Sequence, residues 1–197
     1  MSAFLAWIFR MPLIKRWSLM FNHRHEDIAQ HSHQVAVISH LLALIKNKKF
    51  GGQLDPAKAA VIGLYHEASE VIHSDLPNPT KYLNENITRE FKKIESEAEH
   101  MCVNALPTEF KSDFEAIILS EKIEPEYKQI VKAADLFCAY IKTLTELKHH
   151  NYEFEHVKSN LILKLAEFKK DMPELEYLDQ MFVHQTTATL DEIYHQL

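Results

Sequence analysis

Tyr65-His66-Glu67-Ala68-Ser69-Glu70-Val71-Ile72-His73-Ser74-Asp75 closes an apolar, helix-favouring run that begins at Pro56. The spacing predicts one helix from Pro56 to about Ile72. On it, His66 and Glu70 stand at i and i+4 and share a face, with Glu67 about 100° round from His66. A metal ion between His66 and Glu67 would be within reach of both. Imidazole beside carboxylate is a ligand mix suited to divalent transition metals. Any further ligands have to come from other elements.

Working outward, the neighbouring segments also read as helices. Asp27 is placed to cap a helix from near Ile28 to about Lys48. Val35, Ile38, Leu41, Leu42 and Ile45 recur along it at helical spacing, and His31 lies one turn before Val35 on the same side. Phe50-Gly51-Gly52 stops that helix. Asp55-Pro56 reads as an N-cap followed by proline at the first helical position. After Asp75, the run Leu76-Pro77-Asn78-Pro79-Thr80 forbids continued helix, and such a loop is a common place for substrate contacts. Further helices are expected over Glu85–Leu106, from Pro107 to about Ser120, and over Pro125–His150, Glu153–Lys170 and Pro173–Gln196. A first helix over Ser2–Phe9 resumes after Pro12, and Ser18–Arg24 is a connection.

With only three glycines, the chain is poor in the turns that sheets need. The expectation is an all-α bundle of about seven or eight helices, forming a single domain over residues 1–197. The net charge of −6 argues against a nucleic-acid polymer or an anionic membrane as partner, but leaves a small anionic substrate open. Arg10, Lys15 and Arg16 interrupt the N-terminal apolar stretch well before the ~18 residues that span a bilayer. No basic segment precedes that stretch, so the expected location is the cytoplasm. Cys102 and Cys138 form no Cys-x-x-Cys pair and read as small buried side chains in a reducing compartment.

Three elements offer metal ligands: His31, the His66-Glu67 pair, and Asp135. Asp135 stands between Ala134 and Leu136 in an apolar, small-residue setting, where a carboxylate is costly unless paired or coordinated. Taken singly, Asp135 also suits a salt bridge and His31 a buried core histidine. Thirteen histidines are present, so no one of them decides the matter.

The segments that carry these residues read Arg16-Trp17, Gln30-His31-Ser32-His33-Gln34-Val35-Ala36, Tyr65-His66-Glu67-Ala68-Ser69-Glu70-Val71, Asp75-Leu76-Pro77-Asn78-Pro79-Thr80-Lys81-Tyr82 and Lys132-Ala133-Ala134-Asp135. Their order resembles the HD-domain metal-dependent phosphohydrolases, and within them the bacterial 5′-deoxynucleotidases of the YfbR type, over nearly the whole chain. The resemblance implies a helical HD domain with His31, His66, Glu67 and Asp135 as ligands of a divalent ion: cobalt, manganese or copper. It implies that Glu70 activates or positions water and that Arg16 orients the phosphate, with Trp17 beside it. Asp75, Leu76, Pro77 and Asn78 would contact substrate, together with Arg16, Trp17 and His31. The implied reaction removes the 5′-phosphate of deoxyribonucleoside 5′-monophosphates, in a homodimer.

The sequence departs from that pattern at Glu67, where the family has aspartate. Glu67 either ligates in a bent pose or swings aside. The second case describes a degenerate metal site that binds nucleotide with little or no catalysis. Gln30 stands where the family often has glutamate, a change expected to weaken a hydrogen bond behind the ligands.

Overall fold

The computed structural model describes residues 1–195, and among them every regular element is helical. Seven helices have ten or more residues: α2 (Ile28–Phe50), α3 (Pro56–Tyr65), α6 (Glu85–Asn104), α7 (Thr108–Ile118), α8 (Pro125–Lys148), α9 (Glu155–Asp171) and α10 (Pro173–Phe182). Four pieces are shorter: α1 (Phe4–Ile8), α4 (Glu70–His73), α5 (Asn78–Lys81) and α11 (Leu190–Tyr194).

Helix ends follow the local chemistry. The Asp27 carboxylate accepts the Gln30 N–H at 2.9 Å and starts α2. Gly51, at φ 72°, ends it in the left-handed region, and the Gly52 N–H donates to Lys46 O. Asp55 caps α3 by accepting from Ala57 and Lys58.

α2 is the central rod. It packs against α3, α8 and α10, and Val35, Leu42, Ile62, Ile130, Phe137 and Leu175 meet in the main core. Gly63 lets α3 approach α2 closely, since a Cβ there would lie 3.0 Å from Ala36 Cα. A second cluster under α1 joins Phe4, Cys102, Val103 and Ile118, with Tyr65 and Phe114 stacked edge-on against each other. No helix among the described residues is long and apolar enough to cross a membrane.

Several boundaries differ from the sequence expectation. The helix expected to run to Ile72 ends at Tyr65, and residues 66–69 form a turn before α4. His66 Nδ1 donates to Gly63 O at 2.7 Å. That carbonyl would accept the Glu67 N–H if the helix continued, so the side chain competes with the ladder. The chain then tightens through short-range bonds, Ala68 N to Tyr65 O and Glu70 N to Glu67 O. Past Asp75 a new single-turn helix, α5, begins at Asn78, because Pro79 sits in its first turn, where a missing N–H costs nothing.

At the N-terminus, α1 is followed by a 3-10 turn, Met11–Leu13, in place of a resumed α-helix. Ile14 to Arg16 then lies alongside the segment before α2, with Lys15 paired to Asp27. The last expected helix breaks after Phe182. It restarts at Leu190, where Thr189 and Glu192 form a capping box. The predicted end at Gln196 lies outside the described residues.

Candidate active site

Four side chains from three parts of the fold converge at one end of the α2–α3–α8 packing. His31 comes from the first turn of α2, His66 and Glu67 from the turn after α3, and Asp135 from the middle of α8. Each offers one ligand atom, and these atoms lie within 4.8 Å of one another. His31 Nε2 is 3.1 Å from Asp135 Oδ1 and 4.0 Å from Glu67 Oε1. His66 Nε2 is 3.3 Å from the same Glu67 oxygen. Glu67 therefore does not swing aside. Glu67 lies in the turn that follows the end of α3, with its carboxylate in the cluster beside His66.

The donor set suits a divalent ion. With Nδ1 donating to Gly63 O, the buried Nε2 of His66 is turned to the cluster with no hydrogen-bond partner of its own, the nitrogen that would be open to a metal ion when unprotonated. Two imidazoles and two carboxylates are a common ligand mix for transition metals. Burial alone would raise the Asp135 carboxyl. The His31 hydrogen bond and the Lys132 ammonium, 2.7 Å from Oδ2, instead hold it well below the usual carboxylate range.

Glu67 and Glu70 are pushed apart. Burial opposes charge on both, but His66 and Arg16 favour the Glu67 carboxylate and lower it. Glu70 is raised by its own burial and then by the Glu67 charge. The two neighbouring carboxyls are thus driven in opposite directions, Glu67 down and Glu70 up. Glu70 Oε2 is buried with no partner.

Arg16 borders the cluster. Its Nη1 lies 3.3 Å from Glu67 Oε1 and its Nε 3.4 Å from Glu26 Oε2. Trp17 is held at φ 58°. Its ring lies 5.4 Å from that of Phe154, and its Nε1–H donates to Glu26 Oε2 at 2.7 Å. Asp75 is half-buried; burial raises its carboxyl, opposed by the Arg16 charge. Leu76 and Pro77 are half-buried and Asn78 is exposed at the start of α5. Among the described residues, no side-chain hydrogen bond ties these three to the cluster.

Sequence reasoning missed Glu26 and the site role of Lys132. Glu26 reads as one member of the polar run before α2, and no periodicity marks it as buried. Gln30, the departure expected to weaken a hydrogen bond behind the ligands, is exposed on the first turn of α2. Glu26 is the carboxylate that lies behind His31, with Oε1 3.8 Å from Nδ1.

A family profile described as 5′-deoxynucleotidase YfbR-like matches residues 3–186. A 5′-deoxynucleotidase of Vibrio parahaemolyticus is 48% identical over 192 residues, covering 98% of each chain. Among solved structures, an HD-domain phosphohydrolase from Listeria innocua superposes with a TM-score of 0.78 at 16% identity, over 98% of each chain. A cyanophage S-2L HD phosphohydrolase, solved with dA and one catalytic Zn2+ ion, gives a TM-score of 0.66 at 17% identity. The match covers 91% of this chain and 96% of the neighbour.

Proposed function

The chain belongs to the YfbR-like 5′-deoxynucleotidase family, and on that footing we propose that it hydrolyses deoxyribonucleoside 5′-monophosphates to deoxynucleoside and phosphate. The observation that carries the proposal is the convergence of His31, His66, Glu67 and Asp135 within 4.8 Å, with Arg16 at their edge. These four residues would hold the divalent ion. Manganese, cobalt and copper are the family expectation, and the zinc of the cyanophage neighbour makes it a fourth ion to test.

A bound ion supplies Lewis acidity at the phosphoryl group and makes its water more acidic. The protein supplies the rest. Arg16 presents a planar donor fork that binds and orients the phosphate oxygens. Glu70 orients the attacking water through Oε2, the oxygen left without a partner. The water oxygen bonds to phosphorus as the bond to the 5′-oxygen breaks; one proton of that water ends on the departing 5′-oxygen and the other stays with the phosphate. Trp17, next to Arg16 in the chain, and Asp75 with Leu76, Pro77 and Asn78 would bound the nucleoside side. A homodimer in the cytoplasm completes the reading, and a reducing compartment suits the two buried free cysteines.

The reading of a degenerate, non-catalytic site is weaker, because the carboxylate of Glu67 lies within the ligand cluster. Purified protein assayed with dAMP and dTMP should release phosphate in the presence of Mn2+ or Co2+, and Asp135→Asn should abolish it. No release by the unaltered protein with any divalent ion would sink the proposal.

A further inference from the structure

We propose that Glu26 is a positioning residue for this reaction: its buried carboxylate sets the phosphate-orienting Arg16, its neighbour Trp17 and the metal-facing His31 as a single unit. The inference rests on the phosphomonoesterase reading above.

Glu26 is 7% exposed and stands outside the ligand set. Such a carboxylate is costly to bury unless its oxygens are used. Both of them face functional side chains. Oε2 accepts the Trp17 indole N–H at 2.7 Å and lies 3.4 Å from Arg16 Nε. Oε1 faces His31 Nδ1 at 3.8 Å. That nitrogen is buried and has no hydrogen-bond partner, while the other ring nitrogen of His31 faces Asp135 and Glu67. A contraction of about 1 Å would bring Nδ1–H into hydrogen-bond range of Glu26. A metal-ligating histidine usually donates its far N–H to such a carboxylate, which fixes the tautomer and ring angle.

The backbone reinforces the same unit. The Arg16 N–H donates to Glu26 O at 3.0 Å, and the Ile28 N–H to Ile14 O at 3.1 Å. The short segment carrying Arg16 and Trp17 is thereby laid on the residues just before α2. Trp17 is one of three non-glycine residues with positive φ among those described. A bulky side chain keeps that conformation only where its surroundings hold it. The indole hydrogen bond to Glu26 does so from one side and the Phe154 ring from the other. Moving Glu26 would release the phosphate arm and the ligand histidine together, although Glu26 touches neither substrate nor ion.

Glu26→Gln separates this role from a purely structural one. The amide keeps the shape and an acceptor for the Trp17 N–H, and loses the charge facing Arg16 and His31. Calorimetric titration of the metal-free protein with Mn2+ should show affinity weakened about 10- to 100-fold. At saturating Mn2+, the KM for dAMP should rise at least about fivefold through the loosened Arg16, with the melting transition retained. In a Trp7→Phe background, Glu26→Gln should also shift Trp17 fluorescence. A folded Glu26→Gln protein with unchanged Mn2+ affinity and unchanged KM would overturn the proposal. If the glutamine variant does not fold, Glu26→Asp serves instead. It keeps the charge but withdraws it by one methylene, and should raise both constants; wild-type values in a folded aspartate variant would equally overturn the proposal. If the unaltered protein binds Mn2+ but releases no phosphate, the function reading fails. The metal affinities would then still judge the tie between Glu26 and His31.

Discussion

Glu146 anchors the loop that leads into the site, and replacing it with glutamine tests that anchor. Its carboxylate is 1% exposed in the last turns of α8. It accepts the backbone N–H of His23 at 2.9 Å, the N–H of Arg24 at 3.1 Å and the Asn151 side-chain N–H at 2.9 Å. It also pairs with Lys142, whose ammonium reaches Arg24 O and is itself buried. Burial opposes the charge, but these donors win, Lys142 first, and hold the carboxyl at about 2 against an ordinary 4.5.

A carboxyl lowered that far contributes about 3 kcal/mol at neutral pH. Its folded value lies below its unfolded one, so the contribution is complete above about pH 4.5 and is lost as pH falls towards 2. Glu146→Gln removes that contribution and leaves Lys142 without its charge partner. The expected cost at pH 7 is about 3–5 kcal/mol, or roughly 6–20 °C in melting temperature for a chain of this size. Urea unfolding of both proteins at pH 7, 5.5 and 3.5 checks it. The gap between them should hold from pH 7 to 5.5 and narrow by about 1.4 kcal/mol by pH 3.5. A gap under 1 kcal/mol at pH 7, or one that does not narrow between pH 5.5 and 3.5, would refute the reasoning.

Three other perturbations bear on the site. Glu67→Asp shortens the reach by one methylene, which a small shift of the turn at residues 66–69 should absorb, leaving kcat/KM within about tenfold; a gain of several orders of magnitude would show that Glu67 cripples the native site. Arg16→Lys keeps the charge but loses the planar fork, and should raise the KM for dAMP by about tenfold in steady-state assays. Gly63→Ala puts a methyl group 3.0 Å from Ala36 Cα and 3.1 Å from Ala36 N. Both are backbone atoms that cannot move alone, so a loss of about 1–3 kcal/mol is expected in chemical denaturation.

Much of the fold could be read from the chain because its signals are local. Asp27, Gly51 and Asp55 act on backbone groups within a few residues, and they begin or end helices where expected. The residues of the cluster were readable too, since imidazoles and carboxylates in that order across an all-α chain match a known pattern. The tertiary structure alone decided how they meet. The break after Tyr65 depends on the His66 ring taking the Gly63 carbonyl, a competition that helical periodicity does not register. Glu67 lies in the turn that follows, with its carboxylate in the cluster beside His66. Glu26 could not be singled out, because its burial depends on the segment at residues 14–17 folding back on it and on charged neighbours, Arg16 and His31, that the fold brings to its carboxylate. Sequence by itself determined the helices and the chemical inventory. Which carboxylate joins the two histidines, which is pushed up by burial and which stands behind His31 are set by burial and distances across the fold, because site geometry and charge coupling are properties of neighbours in space.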